Sequence, residues 1–185
     1  PYEIIANFGP AGALAASARE LEKFGRALLD GGEYKGRRIL QPETVERFLD
    51  QQFSHDERTR GLGLGTIHYP YNGIDIVGHD GGTTTFISHL GLAPEEDLIF
   101  ITSFSGPAAG RVHQNLIWPF YDQFFPPAEV QLDPPADFSE RAPLYAGLYQ
   151  WRRSSFTKVG SLLRLVSGVE VTPTDRDTLM IAGRE

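Results

Sequence analysis

The sequence has no cysteine and no long apolar run, and each absence excludes a class of structure. Without cysteine the chain forms neither a disulfide nor a thiolate metal site. No segment reaches the roughly 18 consecutive apolar residues that a membrane-spanning helix needs. The first residues, Pro1 to Ile4, lack both a methionine and the charged-then-apolar order of a signal peptide, so we expect an interior start.

Basic residues are also sparse and scattered. The 185 residues carry 17 Lys and Arg against 24 Asp and Glu, a formal net charge of −7 with a pI near 5.2. A nucleic-acid surface needs clustered cations that face phosphates, so we expect no nucleic-acid partner. The five histidines show no metal-ligand spacing, and we predict no metal site. The hydrophobic content of 41% is enough for a packed core.

The periodicity of the chain changes from helical to strand-like near Gly61. Ser17 to Glu20 has the pattern of a capping box at the start of a helix, and Gln41 to Glu43 fits a second helix start with proline in its first turn. A first strand is expected from Gly61, followed by a hairpin at Asn72-Gly73. Apolar alternation then predicts an antiparallel meander with strands at 74–77, 84–92 and 98–104.

An amphipathic helix and a proline-rich segment follow the meander. Apolar residues from Val112 to Phe124 recur at helical spacing, and Pro119 is expected to kink this helix. Residues 126–143 contain two Pro-Pro pairs and little apolar pattern, which predicts a linker. We therefore predict a main domain at 1–125 and a small β-rich tail at 144–185, too short for a core of its own and so truncated. The tail elements are expected at 145–151, 159–166, 169–172 and 178–181.

Five short motifs between Pro10 and Phe104 stand in a recognisable order. They are Pro10-Ala-Gly12 with Ser17 and Phe24-Gly25, Leu29-Asp-Gly-Gly32, Leu40-Gln-Pro-Glu-Thr-Val45, Gly61-Leu-Gly-Leu-Gly65 and Gly78-His-Asp-Gly-Gly82. This part of the chain resembles the C-terminal half of the serine β-lactamase and penicillin-binding-protein superfamily, in its class C-like esterase and D-aminopeptidase branch. The resemblance implies an α+β fold, an antiparallel sheet flanked by helices. The tail from Tyr145 resembles the small lipocalin-like domain that follows the catalytic domain in some of these proteins.

The resemblance implies a serine hydrolase that acts on ester, amide, β-lactam or D-amino-acid peptide bonds through an acyl-serine intermediate. No metal or organic cofactor is implied, and the partner of the parent enzyme is a small-molecule or peptidic substrate. In the family a Ser-x-x-Lys serine attacks the acyl carbon, and a Tyr-x-Asn group assists proton transfer. A third motif, Lys-Thr-Gly or His-x-Gly, edges the cleft, and it alone aligns here, at His79-Asp80-Gly81.

Three residues carry the implied site. The resemblance implies that His79 borders the cleft, that Gly81 leaves room for substrate, and that the backbone N–H of Gly82 is one donor of the oxyanion hole. Alternation along a strand sends His79 and Gly81 to one face and Asp80 to the other, so Asp80 is not expected to be catalytic. A histidine exchanges its proton near neutral pH whereas a lysine is a fixed cation, which favours an esterase, amidase or D-amino-acid peptidase over a dedicated β-lactamase.

The first two family motifs precede the Pro-Ala-Gly segment, and this chain begins almost at that segment. The nucleophile is therefore expected upstream, and these 185 residues alone are expected to be inactive. The bacterial periplasm or cell envelope is expected rather than the cytoplasm.

Other interpretations stay open. Ser155-Phe-Thr-Lys158 also fits Ser-x-x-Lys, so a rearranged hydrolase would use Ser155, although a plain N-cap role explains this serine too. His79 could simply bond a neighbouring carbonyl at the start of a strand. In a different class, the chain is a non-catalytic binding or docking module of the same fold, whose sheet and β-rich tail recognise a peptide, a glycan or a partner chain. Its exposed sheet edge would then add a peptide strand or form a homodimer.

Overall fold

The computed structural model describes residues 9–54, 61–128, 135–150, 159, 161–162 and 168–181. The chain divides into two units, Pro1–Glu129 and Val130–Glu185, and the described strands of each unit pair only with one another. The elements are α-helices beside antiparallel strands, so the fold is α+β, as expected. The predicted limits of the main domain (1–125), the linker (126–143) and the tail (144–185) stay predictions.

The first unit opens with short helices. After the single turn α1 (Gly9–Gly12), helix α2 (Ala18–Leu29) begins at Ser17, whose N–H donates to the Glu20 carboxylate over 2.8 Å while the Glu20 N–H donates back to Ser17 Oγ. The predicted capping box is therefore confirmed. Two-residue strands β1 (Glu33–Tyr34) and β2 (Arg37–Arg38) form a small ribbon, and helix α3 (Pro42–Leu49) starts with proline in its first turn, as predicted.

The main sheet is the antiparallel meander that the sequence predicts. Its strands are β3 (Ile67–Tyr71), β4 (Ile74–Gly82), β5 (Phe86–Ala93) and β6 (Leu98–Ser105), in the order β3-β4-β5-β6. Asn72 and Gly73 both have positive φ, 50° and 84°, which is the two-residue hairpin geometry that an Asn-Gly pair favours.

The expected strand start at Gly61 is wrong, and β4 is longer than expected. Between residues 61 and 66 the chain forms only isolated bridges at Leu62. Gly63 N–H donates to Thr66 O and Gly65 takes a positive φ of 82°, which closes a turn before Ile67. At the other end, β4 runs five residues past the predicted limit at residue 77, through both glycines of the Gly81-Gly82 pair.

Helices cover the two faces of this sheet. Helix α4 (Ala109–Phe124) contributes Ile117 and Tyr121 to a cluster with Tyr69 and Ile76, and we call this side the α4 face. Helix α2 and helix α3 cover part of the opposite side, the α2 face, where Leu28 and Val45 pack against Leu92 with Leu90 and Ile99 around them. Pro119 lies within α4, which continues to Phe124.

The second unit contains helix α5 (Phe138–Tyr145) and a three-stranded antiparallel sheet. The strands are β7 (Gly147–Tyr149), β8 (Val169–Pro173) and β9 (Leu179–Ile181), in the order β7-β8-β9. Its strands overlap the stretches that the sequence predicts, although Tyr145 ends α5 and does not start a strand. Most of the helical stretch expected at 159–166 falls outside the described residues. Within the part of the chain that the structure describes, no helix is long and apolar enough to cross a membrane.

Truncation of Leu28 is expected to destabilise the first unit much more than truncation of Leu14. Leu28 is 2% exposed against Val45 and Leu92, whereas Leu14 is 84% exposed. Leu28→Ala leaves a cavity in the core, so we expect the free energy of unfolding, measured in urea titrations, to fall by about 2–5 kcal/mol. The matched control Leu14→Ala is expected to change it by about 0.5 kcal/mol at most. Equal losses in the two variants would contradict this packing.

Candidate functional site

The last four residues of β4, His79 to Gly82, extend beyond the end of β3. Strand β3 begins at Ile67, which lies opposite Gly78, so among the described residues this part of β4 is paired only with β5. All four residues are exposed. The Gly-His-Asp-Gly-Gly motif therefore forms a strand end with one bonded edge and one edge that β3 leaves uncovered.

The hairpin between β4 and β5 decides where the backbone groups of this strand end point. Thr83 N–H donates to Phe86 O over 2.9 Å, so these two residues form a hydrogen-bonded pair. Pairs alternate along an antiparallel ladder, so the next pair, Gly82 with Ile87, is not hydrogen-bonded, and neither is the pair that contains Asp80. The N–H of Gly82 and the C=O of Asp80 therefore point away from β5, toward the side on which β3 has ended.

His79 is exposed and belongs to the α2 face, where it lies opposite Leu90. Its Nδ1 lies 2.6 Å from the backbone oxygen of Asp80. A carbonyl oxygen only accepts hydrogen bonds, so Nδ1 carries the proton of the neutral ring and Nε2 keeps its lone pair. The contact with a neighbouring carbonyl that the simpler interpretation expects is present, and it leaves Nε2 as the acceptor of the ring.

Gly81 lies on the same face as His79, opposite Ser88, as the alternation predicts. A Cβ atom added to Gly81 would lie 2.6 Å from Ser88 Oγ, closer than such atoms approach each other. Glycine at position 81 therefore gives the Ser88 hydroxyl room beside the strand. The site roles of His79, Gly81 and Gly82 stay predictions.

Asp80 points to the opposite side, the α4 face, into a polar cluster that the sequence analysis missed. Its Oδ1 accepts a hydrogen bond from His89 Nδ1 over 2.7 Å, and its Oδ2 accepts one from the Tyr69 hydroxyl over 3.3 Å. His113 Nε2 lies 3.8 Å from Oδ1. The available signal was the hairpin itself, since strands that meet around residues 84 and 85 place Asp80 opposite His89.

The cluster continues from His89 to helix α4. His89 Nε2 lies 3.3 Å from the hydroxyl of Tyr121, and both residues are buried. Because His89 Nδ1 donates to a carboxylate, Nε2 of the neutral ring accepts from the tyrosine. A Cβ atom on Gly91 would lie 2.6 Å from both of these polar atoms, so this contact requires glycine at position 91. Asp80, His89 and Tyr121 form a chain of hydrogen bonds from the exposed strand end to the core.

Burial and charge act against each other in this cluster. Burial would raise the pKa of Asp80, but the hydrogen bond from His89, the nearby imidazoles of His89 and His113 and the hydrogen bond from Tyr69 together lower it below the ordinary 3.8. Burial lowers the pKa of His113 below 6.5, although the Asp80 charge opposes that shift. Burial, with the Asp80 charge, raises the pKa of the Tyr121 phenol. At neutral pH the cluster therefore holds one carboxylate and a neutral tyrosine.

A small cavity of about 120 Å³ adjoins this cluster on the α4 face. Its lining residues are Tyr69, Asp80, His89, His113, Gln114, Ile117 and Trp118. Asp80 and His79 point to opposite faces of β4, so the cavity lies behind the strand and not beside the His79 ring. Within the described ranges no group of three or more His, Asp or Glu side chains could hold a metal ion. Ser155 and Lys158, the second Ser-x-x-Lys candidate, lie outside the described residues.

The pKa of His113 is expected to lie below 6.5, and Asp80→Asn is expected to lower it further, because the carboxylate favours the protonated imidazole. Since the folded pKa is depressed, the unfolded chain binds more protons near pH 6, and the free energy of unfolding falls as the pH drops below 6.5. NMR titration of the His113 ring measures the shift. The control Asp75→Asn changes an aspartate of the same strand that lies 3.3 Å from His68 instead, and it should leave His113 unchanged. A His113 pKa above 6.5 would contradict the assignment.

Comparison with known proteins identifies a family for the part of the chain that contains this site. A family model described as beta-lactamase matches residues 1–116, which include the whole β3–β6 sheet. A search of the curated proteins found no match.

Two solved structures are similar to this chain at low identity. The D-stereospecific amidohydrolase from Streptomyces sp. is 23% identical over 61% of this chain and 31% of that chain, with a TM-score of 0.46. The octameric penicillin-binding protein homologue from Pyrococcus abyssi is 18% identical over 90% of this chain and 34% of that chain, with a TM-score of 0.47. The chain spans about a third of the length of these structures. On the family match, which covers well over half of its residues, the chain belongs to the β-lactamase family.

Proposed function

We propose that the chain is the C-terminal part of a serine hydrolase that cleaves ester, amide, β-lactam or D-amino-acid peptide bonds through an acyl-serine intermediate. The nucleophile of this enzyme belongs to sequence upstream of these 185 residues. The single observation that carries the proposal is the exposed end of β4, where His79 and the outward N–H of Gly82 stand within four residues of each other. This is the position of the third motif of the family.

The Gly82 N–H stabilises the negative charge that develops during acyl transfer. Attack of a serine oxygen on the acyl carbon moves negative charge onto the carbonyl oxygen. The Gly82 N–H donates a hydrogen bond to that oxygen, and the N–H of the nucleophile itself is the second donor. One such donor lowers the barrier by about 3 kcal/mol, because it is oriented before the charge develops.

His79 acts on the same substrate from the α2 face. With Nδ1 bound to the Asp80 oxygen, Nε2 accepts a hydrogen bond from the substrate or receives a proton during acyl transfer. A neutral ring does not demand an anionic substrate, which supports esters, amides and D-amino-acid peptides over a dedicated β-lactam reaction. Gly81 has no side chain of its own that could block the approach of the acyl group. We place the parent enzyme in the bacterial periplasm or cell envelope rather than in the cytoplasm.

A second candidate rests on the outer strand of the sheet. Strand β6 is eight residues long and, among the described strands, pairs only with β5. Its other edge presents backbone N–H and C=O groups that could pair with an added peptide strand or with β6 of a second copy. The chain would then be a docking module that keeps the fold and has lost the reaction.

Joining the upstream sequence to this chain is expected to create hydrolase activity that the 185 residues lack. Nitrocefin and p-nitrophenyl acetate report β-lactam and ester cleavage, and turnover needs the serine that completes the acyl-enzyme. Activity of the short chain that disappears in Ser155→Ala would instead support the rearranged hydrolase. If neither form turns over an ester, an amide or a β-lactam, the enzymatic proposal fails, and dimers in light scattering would then favour the docking module.

Replacement of His79 is expected to reduce catalysis by the longer protein. His79→Gln removes the ring that exchanges a proton, so kcat/KM for p-nitrophenyl acetate should fall by about 10²–10⁴-fold. Asp75→Asn alters an exposed position near the opposite end of β4 and should leave kcat/KM within about twofold. Full activity of the His79→Gln variant would remove the imidazole from the proposed site.

A further inference from the structure

Asp80 contacts both faces of the sheet at once. Its carboxylate lies on the α4 face and accepts hydrogen bonds from His89 and Tyr69. Its backbone oxygen accepts the Nδ1 hydrogen of His79, whose ring belongs to the α2 face. One residue therefore joins the buried cluster to the exposed imidazole, with only its own backbone between the two contacts.

The side-chain contacts of Asp80 hold the strand end where β3 no longer does. Tyr69 belongs to β3 and His89 to β5, so the carboxylate connects three strands at the level where the β3 ladder ends. His89 is 4% exposed and is itself bound to Tyr121, which is 1% exposed. A hydrogen bond between a carboxylate and an imidazole is stronger than one between neutral groups, so this anchor resists rotation of the strand.

The direction of the Asp80 carbonyl sets the tautomer of the His79 ring, and the side-chain contacts of Asp80 hold that direction. The Asp80 carbonyl points to the uncovered edge of β4 because its ladder pair with His89 is not hydrogen-bonded. In that direction it meets Nδ1 over 2.6 Å and keeps the proton there. If the peptide group rotates, the neutral ring is free to place its proton on Nε2, which would turn the acceptor toward the substrate into a donor.

We propose that Asp80 is a positioning residue for His79: its carboxylate, held by His89 and Tyr69, orients the peptide group that fixes His79 in the Nδ1–H tautomer with Nε2 available to the substrate. The inference rests on the proposed function for its kinetic consequence, whereas the tautomer is a property of the 185-residue chain. Asp80 does not touch the substrate in this arrangement, because its side chain lies behind the strand.

The tautomer is tested first, without any activity. In the full 185-residue chain with ¹⁵N-labelled histidine, the ring nitrogens of His79 should show a protonated Nδ1 and a bare Nε2 above pH 8. Asp80→Asn keeps the shape of the side chain but removes the charge, and it should shift the His79 signals toward a mixture of both tautomers. The matched control Asp75→Asn removes the charge of the other aspartate–histidine pair on β4 and should leave the His79 signals unchanged. His79 signals that are the same in wild type and Asp80→Asn would overturn the proposal.

The kinetic consequence is tested in the longer protein. Asp80→Asn should lower kcat for p-nitrophenyl acetate by on the order of tenfold with KM within about twofold, since a misplaced catalytic group slows the chemical step. Loss of folded protein alone would lower the apparent enzyme concentration equally at every substrate concentration and would leave the His79 ¹⁵N signals of the remaining folded protein unchanged. An unchanged kcat, or an equal loss in Asp75→Asn, would overturn the positioning role.

A third variant covers the case in which Asp80→Asn does not fold. Tyr121→Phe removes one hydroxyl at the buried end of the chain of hydrogen bonds and keeps the ring packed against Ile76 and Ile117. It should shift the His79 tautomer in the same direction by a smaller amount, and no shift would count against the anchor. If the wild-type longer protein shows no hydrolysis at all, the proposed function fails, while the ¹⁵N result still decides the tautomer.

Discussion

The register of the β4–β5 hairpin is the constraint on which the rest of the first unit depends. Side chains alternate between faces with a period of two, so a slip of one residue would exchange every contact of β4 between α2 and α4. In the observed register Ile76 reaches the α4 cluster, and Leu92 on β5 reaches the α2 cluster. The same register sends Asp80 inward and His79 outward. Core packing on both faces therefore fixes the face of the sheet on which each side chain of the motif lies, and the contacts of Asp80 then hold its peptide group.

The polar cluster combines the half-exposed carboxylate of Asp80 with buried partners. A charge taken out of water costs several kcal/mol, which a single partner compensates only with good geometry. Asp80 is only partly removed from water and has hydrogen bonds to both oxygens, so its carboxylate stays charged. Apolar residues at these positions would pack the same space without directing the strand end. The polar solution holds one particular peptide plane, which an apolar contact could not do.

The sequence predicts the local features of this fold well and the long-range polar ones poorly. The capping box at Ser17 and the hairpin at Asn72-Gly73 follow from backbone chemistry within four residues, so both could be predicted. The Gly61 strand was wrong because glycine alternation resembles strand alternation, whereas Gly65 forms a turn. The partnership of Asp80 with His89 and Tyr121 depends on strand register and on how α4 lies across the sheet. Neither of these is visible from the type of residue alone.

Glycine at position 91 shows how a functional requirement can look like an architectural one. Its neighbours His89 and Tyr121 come together in the space that a side chain would otherwise fill. The backbone there is an ordinary strand, so no unusual torsion explains the residue. A homologue with alanine at this site would have to separate the imidazole from the phenol, and so lose the link between the helix and the strand. The amino acid at position 91 should therefore covary with His89 and Tyr121, and glycine there marks the relatives that keep this hydrogen bond.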